Sequence, residues 1–207
     1  MEKYFLTRYA GSPTVAIGFH GCKQSVAEKV LHQGEDIEDS KNDYDWLGTG
    51  KYFWESNPKR ALEWAERKYK GKTDGPAVIG ALIDLSDCLN LLDASGLRHL
   101  QLAYRFLENE ASTAGYSLPA NVLSLNGFDF LKRHLDCLVV NRACVLREEA
   151  GLSGFKSVRG AFWEGAELYK DAGFKEKNHI QICVRDTHAV LCYFHPRCYV
   201  NLNLVSA

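Results

Sequence analysis

His20 ends an apolar run, in Gly18-Phe19-His20-Gly21-Cys22. Tyr52 follows a glycine-punctuated turn, in Trp46-Leu47-Gly48-Thr49-Gly50-Lys51-Tyr52-Phe53. An imidazole nitrogen can grip a sugar hydroxyl, and a phenol ring can stack on a flat aromatic group. Gly21 beside the histidine lets a ligand approach the backbone closely. A third position, Gln181, stands in His179-Ile180-Gln181-Ile182-Cys183-Val184-Arg185-Asp186. Its amide can hydrogen-bond but brings no charge. Taken singly, His20 also fits a histidine satisfied at a strand end, and Tyr52 fits core packing.

The elements that must position these residues follow from hydrophobic pattern and turn chemistry. Residues 14–19 are β-branched and apolar, which predicts a buried strand ending at His20. Residues 25–33 have helical spacing, with Ser25 and Glu28 as a capping box and Gly34 as the stop. Residues 35–45 form a polar, acidic loop. Residues 51–54 are a short strand. Asn57 caps a helix that has Pro58 in its first turn and runs to about Tyr69. Further strands are expected at 77–85, 157–163, 179–185 and 190–194, and helices at 97–114 and 128–150. The last helix should turn Leu131, Leu135, Leu138, Val139 and Val145 to the apolar side. Strands early and late with helices between them make an α+β pattern. There is no Gly-x-Gly-x-x-Gly, so a dinucleotide would need a route other than the Rossmann turn.

The 207 residues suit one domain, 1–207, with a helical insertion around 97–150. The chain is 46% hydrophobic and 25% charged, with a net charge of -1. That balance excludes an overall basic, sequence-independent nucleic-acid binder but leaves room for a local basic patch. Seven cysteines, an odd number without framework spacing, and a start lacking an apolar leader predict reduced thiols and a cytoplasmic location, with no membrane partner. His188, Cys192, His195 and Cys198 are zinc-ligand types. Their spacings do not put all four on one face of the 190–194 strand, and no Cys-x-x-Cys knuckle accompanies them, so no metal site is expected.

The arrangement resembles the diphtheria-toxin and poly(ADP-ribose) polymerase branch of the ADP-ribosyltransferases. That branch carries His-Gly-[Thr/Ser] at one strand end, Gly-x-Tyr-[Phe/Ser] in a second strand and a Glu near the start of a late strand. Here the matching stretches are Phe19-His20-Gly21-Cys22, Leu47 to Phe53 with its acidic approach Asn42-Asp43-Tyr44-Asp45-Trp46, and the strand of Gln181. Matched elements cover residues 14–65 and 178–194. The resemblance implies an α+β fold of two small, mostly antiparallel sheets forming an NAD cleft, with the helical middle segment as an insertion or covering layer. It implies that His20 bonds a ribose hydroxyl, that Gly21 presents backbone amide groups to the nicotinamide carboxamide, and that Tyr52 stacks on the nicotinamide. NAD would lie between the strands of His20 and Tyr52 and the loop after Gly34.

Three departures bear on activity. Cys22 replaces the small hydroxyl residue. The second stacking tyrosine of the family falls at Glu63, with Trp64 adjacent. One residue on a helix turns a side chain by about 100°, so Trp64 needs a register adjustment to stack, while Glu63 could bring a carboxylate to the ribose or lie on a solvated face. Gln181 replaces the family Glu. It keeps length and hydrogen bonding and loses the charge that would face an oxocarbenium ion, a loss comparable to deleting an oxyanion-hole donor, about 3–4 kcal/mol. Glu164, at the end of the 157–163 strand, is a candidate substitute carboxylate or a plain surface glutamate. The resemblance therefore implies a mono-ADP-ribosyltransferase acting on a protein or nucleic-acid acceptor, of the kind found in toxins and defence effectors. Alternatives are an NAD glycohydrolase and a non-catalytic module that binds NAD or ADP-ribose.

Overall fold

The computed structural model describes residues 15–123 and 130–197. Its elements run β1 (Val15–Lys23), α1 (Gln24–His32), β2 (Lys51–Glu55), α2 (Pro58–Tyr69), β3 (Pro76–Asp84), β4 (Cys88–Asn90), α3 (Ala94–Ala114), β5 (Val122–Leu123), β6 (Phe130–Lys132), α4 (His134–Glu149), β7 (Ser157–Phe162), β8 (His179–Val184) and β9 (Val190–Phe194). The α+β class holds. The two-sheet expectation does not: seven strands form one mixed sheet in the order β4-β7-β8-β2-β1-β3-β9, and only the short β5–β6 pair stands apart. Among the described residues, only β4 and β7 pair in parallel.

The sheet has a waist. β1 and β3 share nine residue pairs, from Val15 with Asp84 to Lys23 with Pro76. β1 and β2 share two, Gly18 with Glu55 and Phe19 with Trp54. So β1 does not end at His20, as its sequence predicts. It continues along β3 to Lys23 while its pairing with β2 stops at Phe19.

Alternation along the strands assigns the two faces. On one face Phe53, Ile79, Ile83, Ile182 and Val184 pack with Ala27 and Val30 of α1. On the other, α2 covers Trp54 and Val78 through Ala61, while α3 and α4 cover Val158, Phe162 and Cys183 through Ala103, Leu107, Val140 and Cys144. Cys137 and Cys144 are buried in this layer, but Val145, expected on the apolar side, is exposed. The buried stripe runs through 137, 140 and 144 because α3 and the sheet contact that side.

Three helix starts differ from expectation. α3 begins at Ala94, three residues early, because Asp93 caps it locally by accepting the Gly96 N–H at 2.8 Å. The other two have caps that come from elsewhere in the chain. The Ser25–Glu28 capping box does not form. α1 begins at Gln24, and Asp74 accepts the Ser25 N–H (2.9 Å) and its hydroxyl (2.5 Å). α4 begins at His134, after a strand at 130–132. Asn121 Oδ1 accepts the N–H groups of Leu135 and Asp136 at 3.0 and 3.2 Å. The first helical residues expected there, 128 and 129, lie outside the described residues. Asn57 caps α2 as expected, accepting the Arg60 N–H at 3.1 Å with Pro58 in the first turn.

A nearly buried ion pair ties the strands on either side of β8. Arg159 of β7 donates Nε and Nη2 to the two Glu55 oxygens of β2 at 2.6 and 2.8 Å. The side chains are 11% and 16% exposed. Removing one partner of such a pair leaves a poorly solvated charge and costs about 3–5 kcal/mol. Arg159→Met should therefore lose about 3 kcal/mol in urea unfolding, and Glu55→Leu/Arg159→Met should recover most of it. A single variant within about 1 kcal/mol of the parent would show that the pair is not structural.

Candidate functional site

His20 and Tyr52 meet, but not ring to ring. Past the waist the Tyr52 carbonyl has no β1 ladder partner, and His20 Nδ1–H donates to it at 2.8 Å. A carbonyl only accepts, so this bond fixes the proton on Nδ1 and leaves Nε2 as an acceptor. The imidazole lies against Phe53, 5.8 Å between ring centroids. Burial holds its pKa below the ordinary value, against the raising effect of that hydrogen bond, and the charge of Lys68 lowers it further. His20 is thus a neutral acceptor near pH 7.

The Tyr52 ring packs on the opposite face, with Leu47, Val140 and Cys183. Its hydroxyl accepts the Leu47 N–H at 2.9 Å and donates to the Gly48 carbonyl at 2.6 Å. It braces the turn preceding β2, where Gly48 adopts φ +77°, a left-handed conformation that glycine takes without strain. Burial pushes the phenol pKa far up, so it stays protonated. Gly21 has a packing reason of its own: a Cβ there would collide with the Ala61 carbonyl of α2. Cys22 is buried, and burial first, then Asp74, pushes its thiol up to about 12, which makes it a poor nucleophile. The loop after Gly34 is held down by the nearly buried Lys51, whose Nζ contacts Asp39 at 2.8 Å and Asp36 at 3.3 Å. Asp36 also accepts from the Thr187 and Tyr193 hydroxyls.

Gln181 lies half-buried in the seam between the α2 layer and the α3–α4 layer. It pairs with Trp54 across β2 and with Gly160 across β7. Along this seam runs a chain of polar groups. Arg60 donates to Glu63 at 2.7 Å and to Glu164 at 3.1 Å. Glu164 stands 3.7 Å from His179 Nδ1, which donates to the Lys177 carbonyl at 2.7 Å. Burial lowers the His179 pKa. Its Nε2 and the Trp54 indole N–H are buried and lack a hydrogen-bond partner among the described residues. Each such group costs about 1–3 kcal/mol unless something pairs with it. An open depression of about 420 Å³ adjoins the seam, lined by Asn57, Lys59, Arg60 and Glu63 and by Glu176, Lys177 and Asn178. A second, of about 470 Å³ with Asp39, Glu148, Lys156, Arg185 and Asp186 among its lining residues, contains none of the expected site residues.

The structure therefore joins His20 to Tyr52 and gathers Gln181, Glu63 and Glu164 along one seam. Trp64 does not pack on Tyr52. Its ring lies 6.1 Å from Trp54 and 6.1 Å from Tyr69. Arg60 and His179 belong to the candidate site and were missed by sequence reasoning. His179 had a legible signal, because period-two alternation puts it on the face of Gln181. Arg60 had none, since its contact to Glu164 spans 104 residues. Among the described residues no group of three or more His, Cys, Asp or Glu side chains is placed to hold a metal ion, and Cys198 lies outside them. No described helix is long and apolar enough to cross a membrane.

The two buried histidines give a signed pH dependence. Their folded pKa values are depressed, so below about pH 6.5 the unfolded chain binds protons that the folded chain does not. Stability is full above that pH and falls as pH drops through the window below it, by up to roughly 1.4 kcal/mol per pH unit for each histidine. Urea unfolding between about pH 5 and 7.5 should show this slope, and His20→Gln should lower it. An unchanged slope in His20→Gln would mean that His20 titrates alike in both states.

No protein-family model matches the sequence, and no curated protein and no solved structure matches it.

Proposed function

We propose that the chain transfers ADP-ribose from NAD to a macromolecular acceptor. The observation that carries this reading is the hydrogen bond from His20 to the Tyr52 carbonyl at the waist of the sheet. It fixes the tautomer that offers Nε2 as an acceptor, as a ribose hydroxyl requires, at the point where β1 and β2 stop pairing. Beside Gln181, on the sheet face opposite the one where the His20 ring meets Phe53, the Trp54 N–H and His179 Nε2 offer a donor and an acceptor with no partner among the described residues. In the reaction the bond between the ribose C1′ and the nicotinamide nitrogen breaks, and nicotinamide leaves with the electron pair. An oxygen or nitrogen of the acceptor bonds to C1′ and its proton passes to solvent. Gln181 would hold the ribose by hydrogen bonding, without charge. The polar chain above it bears on the developing cation. Arg60 already pairs with both Glu63 and Glu164, so either carboxylate must exchange that partner to act.

This pairing favours a second reading, a module that binds NAD or ADP-ribose without breaking it. Labelled NAD, incubated with and without cell extract, separates the outcomes. Label in macromolecules supports transfer, and free ADP-ribose alone indicates the glycohydrolase. NAD bound intact supports the module. For transfer, Gln181→Ala and His20→Ala should each lower kcat/KM by about 10²–10³, the scale of losing one transition-state hydrogen bond. Activity unchanged in both variants would overturn the assignment. Arg60→Gln should raise the rate if Glu164 is the latent carboxylate, and lower or preserve it if Glu164 is structural.

A further inference from the structure

Tyr69, the last residue of α2, is ringed by ammonium groups from three places in the chain. Lys72 Nζ lies 5.4 Å from the ring centroid, Lys68 Nζ 5.5 Å and Lys23 Nζ 5.9 Å. Lys68 also sits 4.5 Å from the Trp64 centroid. None of these lysines makes an ion pair among the described residues. The nearby carboxylate of Asp74, whose field reaches Lys23, is already committed to the N–H and hydroxyl of Ser25. Arg67 and Lys70 flank the group in sequence. Part of this charge complements the C-terminal end of the α2 dipole. That effect does not require three cations around one ring, and like charges so gathered repel one another until an anion joins them.

The rings continue inward. Tyr69 contacts Trp64, Trp64 contacts Trp54, and Trp54 pairs across the strands with Gln181. Lys68 acts on the other side of the site as well, through its charge at His20. An aromatic ladder with unpaired cations at its outer end, leading to the proposed reaction centre, is what a single-stranded nucleic acid needs. Bases stack on the outer rings, since Trp54 is buried beneath them, and phosphates meet the lysines. A folded protein acceptor would have no use for stacked rings flanked by free cations, and a net charge of -1 restricts such binding to this patch.

We infer that Lys23, Lys68, Tyr69 and Lys72 form a binding surface for single-stranded nucleic acid, the acceptor class of the transfer proposed above. The inference rests on that reading for its catalytic meaning, but its test does not need NAD. Fluorescence anisotropy of labelled oligothymidylate and oligouridylate of about ten nucleotides, with the full chain, reads binding alone. Affinity should fall steeply between about 50 and 200 mM salt, and Lys68→Gln/Lys72→Gln should lower the slope of log K against log salt by about 1.4. Tyr69→Ala should weaken binding roughly 5- to 150-fold and Tyr69→Phe should preserve it, which separates stacking from loss of fold. An abasic sugar-phosphate oligomer of the same length should bind more weakly by a similar factor. Equal affinity for the abasic oligomer would mark a plain polyanion site and overturn the inference. So would binding that is absent, or unchanged in the lysine variant. If oligonucleotide binds but no label from NAD is transferred, the surface stands and the transferase reading fails. If label is transferred and resists nuclease but not protease, the transferase stands and the acceptor class fails.

Discussion

Two residue pairs, Gly18 with Glu55 and Phe19 with Trp54, hold the halves of the seven-stranded sheet together. Backbone polar groups cannot be left unpaired inside a protein, so an early end to a ladder needs replacement partners. His20 provides one by donating to the Tyr52 carbonyl. That single bond closes the sheet beyond its waist and fixes the imidazole tautomer. It therefore gives His20 both an architectural reason and a chemical consequence. The short pairing is compatible with a sheet this wide because each half is separately supported. β1 and β3 run together for nine pairs on one side, and Arg159 clamps Glu55 across β8 on the other.

Helix placement then decides where a ligand can reach. α1 seals the Phe53 face, while α2 and the α3–α4 pair divide the opposite face between them. Gln181 lies under the boundary. The groups along it are not a random polar surface, because Arg60 reaches from α2 to Glu164 after β7 and crosses the division. One guanidinium is shared between two carboxylates, and the charge of Arg133 also reaches His179 at this seam. The salt bridge thus clasps α2 to the segment that follows β7.

Local chemistry was legible in the sequence, and long-range chemistry was not. The apolar β-branched runs around 15–19, 77–84 and 179–184 located the strands, and Asn57-Pro58 located the start of α2, because the signals lie within a few residues of their effects. The starts of α1 and α4 were misplaced for the converse reason. Asp74 acts on Ser25 from 49 residues away, and Asn121 acts on Leu135 from 14. The same distinction governs the site. His20, Tyr52 and Gln181 were legible as a spaced set. That His20 reaches the Tyr52 carbonyl instead of the ring, and that Trp64 packs on Trp54, depend on which faces the strands present after pairing. The one-sheet architecture also turns on the two pairs of the waist, which have no separate signature in composition or periodicity.

The position of α2 links these features. Its first two turns supply Arg60 and Glu63 to the seam and pack Ala61 over the site where Gly21 lacks a side chain, and its last turn brings Lys68 and Tyr69 beside Lys23 at the end of β1. A glycine at position 21 is therefore explained by helix packing before any ligand is considered. What helix packing does not explain is the chemistry at the two ends: a guanidinium shared between carboxylates at one, and unpaired ammonium groups around an aromatic ring at the other. Both ends meet on one helix seated on β1: α2 itself carries Arg60 and Lys68, while Lys23 comes from β1 and Lys72 from the turn after α2.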